Sequence, residues 1–167
     1  MSEENAQGGN ADQRQFQVQK IYLKDVSVET PNSPEVFKEE WKPEVNIQLG
    51  NTAKKLADNV HEIVLTITVT AKQGETTAYL VEVHQAGIFT AAGFPEQEIG
   101  PLVGSYCPSL LFPYAREAIS DLVTKAGFPQ MLLQPVNFDM IYAQHQQQMN
   151  EKAQKAAASG ASSQEMH

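Results

Sequence analysis

Apolar and polar residues alternate with a period of two through much of the first half of the chain, and recur at spacings of three and four in the second. From Phe16 to Glu29 the even positions Phe16, Val18, Tyr22, Val26 and Val28 form one mostly apolar face, opposite Asp25, Ser27 and Glu29. Ile21 and Leu23 break that pattern, so either the strand is apolar on both sides midway or a bulge resets it. Pro31 and Pro34 end the strand. Val45, Ile47 and Leu49 alternate with Glu44, Asn46 and Gln48 in a second strand reaching Gly50-Asn51, and a polar connection follows with Lys54, Lys55, Asp58 and Asn59. In the third strand Ile63, Leu65, Ile67, Val69 and Ala71 alternate with Glu62, Thr66, Thr68 and Thr70. Gln73-Gly74-Glu75 makes a tight turn. The fourth strand then puts Tyr79, Val81 and Val83 on one face and Leu80, Glu82 and His84 on the other.

After this the texture changes. Residues 87–105 carry Gly87, Gly93, Gly100 and Gly104 with Pro95 and Pro101, and read as a loop. The dense apolar block from Tyr106 to Tyr114 opens a helix in which Leu111, Ala115, Ala118, Ile119 and Leu122 share a face. Pro113 is expected in its first turns. Gly127 suits the position just past the helix end, and Pro129 lies beyond it. Residues 128–136 form an apolar connection. Its Met131, Leu132, Leu133 and Val136 show no periodicity, so they cover something or line a groove. Asn137 can cap a second helix, on which Phe138, Ile141, Tyr142, His145 and Met149 share a face. Strands followed by helices make an α+β fold, a four-stranded antiparallel sheet with two C-terminal helices packed on one face. The expected domain spans 15–150. Residues 1–14 are too polar to order themselves. Residues 151–167 are a low-complexity flexible tail that extends the helix briefly and is disordered from Gly160 on.

Charge and candidate chemistry narrow the function. Acidic residues outnumber basic ones by 20 to 12, a net charge of −8, which argues against nucleic acid and against an anionic membrane surface as partners. No Lys or Arg occurs between Lys72 and Arg116, while Glu75, Glu82, Glu96 and Glu98 do. That stretch is either a solvated acidic surface or a docking face for a basic partner. A single cysteine, Cys107, excludes an internal disulfide, and its apolar company makes it an inert thiol. No apolar run approaches the ~20 residues of a membrane span, so no stable membrane insertion is expected. With no signal peptide at the N-terminus the chain reads as cytoplasmic. His61, His84, His145 and His167 lack metal-ligand spacing, Glu96 and Glu98 sit in a solvated loop, and no phosphate loop, dinucleotide fingerprint or nucleophile elbow is present. No catalytic residue, metal or cofactor is expected, and binding is favoured over catalysis.

Five strings carry a more specific signal: Gln19 through Asn32 (QKIYLKDVSVETPN), Trp41-Lys42-Pro43-Glu44-Val45, Gly87-Ile88-Phe89, Tyr106-Cys107-Pro108 with Leu111 through Glu117 (LFPYARE), and Pro135-Val136-Asn137-Phe138-Asp139. In this order they resemble the SecB family of bacterial protein-export chaperones from about residue 16 to 149; the tails depart from it. The resemblance implies a homotetramer built as a dimer of dimers, with the long helix sandwiched between dimers. It implies ATP-independent holding of unfolded preproteins and their delivery to the translocation ATPase SecA. It carries SecA contacts onto Asp25, Glu29, Leu80 and Glu82, and client contacts onto Val45, Ile47, Leu49, Phe138 and Tyr142. The apolar positions Tyr79, Val81 and Val83, with Gln85 beyond them, are expected at the oligomer interface. Two other readings stand beside this one: a SecB-like chaperone dedicated to one partner such as an antitoxin, and a small α+β enzyme or ligand-binding fold.

Overall fold

The computed structural model describes residues 13–162. Its centre is one antiparallel sheet of β1 (Gln15–Glu29), β2 (Glu44–Ala57), β3 (Val60–Gln73) and β4 (Thr76–Ala92), in the order β1-β4-β3-β2. Two tight hairpins follow from local chemistry. Asn59 and Gly74 adopt φ of 60° and 62°, which two-residue turns between right-twisted strands require. β2 therefore runs through what reads in sequence as a polar connection. Its main chain stays paired with β3 up to Ala57, although its side chains, all exposed, lose their alternation after Leu49.

The irregularity in β1 resolves as two bulges, between Val18 and Lys20 and between Leu23 and Asp25. Each adds one residue and moves the inward positions by one, from even to odd and back to even. Cross-strand partners share a face, so the register places Phe16, Val18, Ile21, Leu23, Val26 and Val28 together, opposite Ala91, Phe89, Gly87, Gln85, Val83 and Val81 of β4. β1 is apolar on one side throughout.

Over that side lies α2 (Cys107–Lys125), whose Leu111, Ala115, Ile119 and Val123 are fully buried at spacings of four on the central strands β4 and β3. Gly87 makes this approach possible. A Cβ there would sit 2.6 Å from the Phe89 ring and 3.0 Å from Leu111 Cδ2. The expected loop at 87–105 is thus corrected. β4 continues to Ala92, and after a bend at Gly93 the chain is helical, through α1 (Glu96–Pro101) and a π turn (Leu102–Tyr106), straight into α2. Three of the four glycines that suggested a loop, Gly87, Gly100 and Gly104, serve close packing instead, so Pro113 lies well inside a longer helical run. Gly127, with φ of 95°, ends α2 as expected, its N–H donating to the Thr124 carbonyl at 3.1 Å.

Phe128 packs between Tyr79 and Trp41 at ring separations of 4.9 and 5.2 Å, and Leu133 plugs into the core. Asn137 caps α3 (Phe138–Ser162), its Oδ1 accepting from the Met140 N–H at 3.1 Å. α3 is longer than expected: it passes through Gly160 because the run from Glu151 to Ala158 is rich in good helix formers. The expected disorder of the remaining tails concerns residues 1–12 and 163–167, which lie outside the described residues.

Candidate functional site

Of the five expected client-contact residues, Val45, Ile47 and Leu49 lie on β2, and Phe138 and Tyr142 line a cavity with Leu49 from α3. Val45, Ile47 and Leu49 stand opposite Ala71, Val69 and Ile67 of β3 and so lie on the α2 side of the sheet. α2 covers the central strands and stops short of this edge, leaving the three side chains 42%, 40% and 37% exposed. Facing them across a cavity of about 370 Å³ are Met131, Leu132, Leu133 and Val136, with Phe112 in its wall. A second cavity of about 310 Å³ continues the trough, between Leu49 and Leu65 on the sheet and Phe138, Ile141 and Tyr142 on α3. Leu49 lines both, so the two make one apolar channel.

Within it the residues play different parts. Phe138 is nearly buried, edge-on to Phe112 at 5.7 Å, and forms wall. Tyr142 packs against the π turn and the end of α1: a Cβ on Gly104 would be 2.5 Å from its ring, and one on Gly100 would be 2.6 Å from its hydroxyl. The buried Ser105 hydroxyl donates to Asp139, tying the start of α3 to the same turn. Beyond Phe138 a larger cavity, about 800 Å³, opens between Leu102, Tyr106 and the start of α3. Sequence reasoning missed this space because it treated 87–105 as loop. It also missed Leu65, Phe112, Ile141 and His145 as lining residues. The aperiodic apolar segment at 131–136 was the available signal for the channel.

The expected acidic patch also assembles, on the sheet face turned away from α2. Glu29 pairs opposite Leu80, Ser27 opposite Glu82 and Asp25 opposite His84, so the three carboxylates and Leu80 share one contiguous surface. Glu82 is held at both oxygens, by His84 Nε2 at 2.6 Å and by the Thr68 hydroxyl at 3.0 Å. The His84 hydrogen bond first, then that of Thr68, lowers its carboxyl below the usual range. Nearby, Glu62 accepts from Lys24 Nζ at 2.7 Å and from the Tyr22 hydroxyl. Those two bonds, Lys24 first, lower Glu62, and the bond to Glu62 pushes the Tyr22 phenol up to about 12.

The expected oligomer residues need correction. Tyr79, Val81 and Val83 are 1%, 0% and 0% exposed within the single chain, and Gln85, at 4%, donates to the Tyr22 carbonyl at 3.1 Å. They lie on a central strand beneath α2, so they are core and cannot be a contact surface between chains. Cys107 is buried too, and its burial pushes the thiol up to about 12. Besides the β2 row, the apolar surface left open on the same sheet side is the row Val18, Leu23, Val26 and Val28 on the edge strand β1, with Tyr106 exposed at the end of the π turn and Tyr114 on α2.

Comparison with known proteins places this geometry. The family described as preprotein translocase subunit SecB matches residues 9–149. The protein-export protein SecB of Nitrosococcus oceani is 63% identical over 138 residues, covering 81% of this chain and 84% of that one. Its counterpart from Methylococcus capsulatus is 58% identical over 156 residues, covering 93% and 98%. Among solved structures, a SecB-like chaperone of Mycobacterium tuberculosis bound to an antitoxin peptide superposes with a TM-score of 0.61 at 14% identity, over 72% of this chain and 90% of that one, a likeness of fold. Among the described residues no helix is long and apolar enough to cross a membrane.

Proposed function

The chain belongs to the SecB family and is a protein-export chaperone, and from that premise we propose that it holds unfolded preproteins along β2 and hands them to SecA at the acidic face. The observation that carries the first half is the channel. Val45, Ile47 and Leu49 stay exposed opposite an equally apolar connecting segment, which a domain with nothing to bind would not leave open. Many modest apolar contacts in a row suit an extended chain of variable sequence better than a fixed ligand. Binding then needs no nucleotide and takes place in the cytoplasm, before export.

The second half rests on the clustering of Asp25, Glu29 and Glu82 around Leu80. Complementary charge speeds encounter with a basic surface, and Leu80 supplies an apolar anchor. The assembly is a homotetramer, a dimer of dimers, closed over the β1 row and the outer side of α2.

Aggregation of an unfolded client, followed by light scattering without nucleotide, tests the holding activity. The parent suppresses aggregation and Ile47→Asp suppresses it less; equal affinity for the native and unfolded forms of one client would sink the idea. For docking, Asp25→Ala, Glu29→Ala and Glu82→Lys weaken binding to SecA in calorimetry and leave client binding unchanged. The loss shrinks as salt screens the charges over about 10 Å. A Glu82→Lys variant that binds SecA as tightly as the parent at low salt makes these acids ordinary solvated surface.

A further inference from the structure

The second bulge of β1 puts two opposite charges side by side on the docking face. Asp25 stands opposite His84 and so shares the outer side of the sheet with Glu82 and Leu80. Lys24 is the inserted residue of that bulge, between Leu23 and Asp25. Neighbours in a regular strand point to opposite sides, but here the Lys24 ammonium lies on the outer side too. It reaches across β4 to Glu62 of β3, 2.7 Å from Oε1, and Glu62 stands opposite Ile88, on the same face as His84 and Glu82. A base thus adjoins the acidic patch directly in the chain, yet Asp25 forms no ion pair among the described residues.

Glu62 is held so as to take that base. Its second oxygen accepts from the hydroxyl of Tyr22, which also comes from β1. Tyr22 reaches it past Ala86, its cross-strand partner on β4, whose methyl group leaves the way open. The Glu62 side chain is 13% exposed against 48% for Lys24. The carboxylate is therefore the fixed partner, and it decides where the ammonium sits.

We propose that Glu62 is a positioning residue of the docking face: it holds Lys24 away from Asp25, so that Asp25 offers an unpaired charge to a basic partner. The proposal rests on the docking reading above. A lysine ammonium rides on a long flexible stem. Released from Glu62, Lys24 has Asp25 as its nearest carboxylate along the chain, and an ammonium there competes with the partner's own bases. The other lysines of this face do not take its place. Lys20 and Lys54 lie level with Glu62, opposite Ile88 and Glu62 itself, and Lys72 lies at the far end of β3.

Calorimetry of the full chain with SecA, at neutral pH and at low salt where exposed charges are least screened, tests the proposal. Glu62→Gln keeps a group that can bond Tyr22 and loses the ion pair. It binds SecA about threefold to fivefold more weakly than the parent, the scale of one exposed charge pair, and adding Lys24→Gln restores the parent's affinity. A bare change in net charge would do the same, so Asp25 decides between the two causes. Asp25→Ala weakens the parent by a similar factor but weakens the Glu62→Gln protein hardly at all, because Lys24 already occupies that carboxylate. If Asp25→Ala costs as much in the Glu62→Gln protein as in the parent, if Glu62→Gln binds as tightly as the parent, or if Lys24→Gln restores nothing, Glu62 has no positioning part although docking itself stands. If the parent does not bind SecA, or if Asp25→Ala, Glu29→Ala and Glu82→Lys all leave its affinity unchanged, the docking reading falls and this proposal with it.

Discussion

Gly104 bears no side chain because Tyr142 occupies the place where one would stand, its ring carbons 2.5 and 2.6 Å from the position of a Cβ. Alanine is the better helix former, so an exposed glycine-to-alanine change in a helical turn would stabilise by up to about 1 kcal/mol. Here the steric term opposes it and wins. Gly104→Ala lowers stability by roughly 1–3 kcal/mol, the range for overpacking a tight contact. Adding Tyr142→Ala removes the clash, so the double variant loses less than the sum of the singles. Urea denaturation of the four proteins measures this, and additive losses would mean that Tyr142 does not seat on Gly104. Cys107 gives a second prediction. With its thiol pushed up to about 12 by burial, it stays protonated at neutral pH. Iodoacetamide leaves it unmodified in the folded protein near neutral pH and labels it once urea unfolds the chain. Mass spectrometry decides; rapid labelling of the folded protein would show an accessible thiolate. The sign for stability is equally defined. An unfolded thiol ionises near pH 8.5 and the folded one does not until far higher. Stability on this account is full below that point and falls as pH rises from there toward about 12.

At the scale of elements, Gly87 decides how closely α2 lies on the sheet. A methyl group there meets the Phe89 ring at 2.6 Å and Leu111 at 3.0 Å, and both neighbours are fully packed. Gly87→Ala therefore costs roughly 1–3 kcal/mol. The strain falls on the contact between α2 and β4, so amide exchange speeds up most in α2 and least in the turn between β2 and β3. Uniform acceleration would show that α2 is not separately seated. The same glycine explains much of what the sequence did and did not disclose. A glycine used for close approach looks like one used for a turn, so the end of β4, α1 and the π turn were all hidden by residues 87–104. β3 was plain because its alternating Ile, Leu and Val positions are buried in the centre of the sheet. The far half of β2 was not, because an exposed edge strand is held by main-chain pairing that leaves no side-chain pattern. β1 signalled its bulges through the misplaced Ile21 and Leu23. The channel announced itself in the aperiodic 131–136 segment, and the acidic face in the alternation of Asp25 with Glu29 and of Leu80 with Glu82. The part played by Tyr142 as a seat for α3 rather than a free contact had no signal in one sequence, since it depends on glycines from another element.

For the whole molecule the question is which apolar surface closes the proposed tetramer. The central strand β4 has none to give: Val81 is 0% exposed beneath α2. The edge strand β1 offers Leu23 at 52%, with Val26 and Val28 beside it at 41% and 39%. An open strand edge next to an exposed apolar row is the arrangement that pairs with a second copy of itself. Two aspartate substitutions separate the alternatives. Val81→Asp buries a carboxylate with no partner, which costs several kcal/mol and acts inside one chain; the protein loses its cooperative unfolding transition whatever its concentration. Leu23→Asp places its charge at the edge, where a monomer solvates it freely. It keeps the parent's circular dichroism at high concentration, while its mass by light scattering falls below that of four copies. Because assembly adds stability by mass action, its melting temperature also becomes lower and more concentration-dependent than the parent's. A folded dimer from Val81→Asp together with an intact tetramer from Leu23→Asp would overturn this assignment, since it would require β4 to reach a neighbouring chain through the helix that covers it.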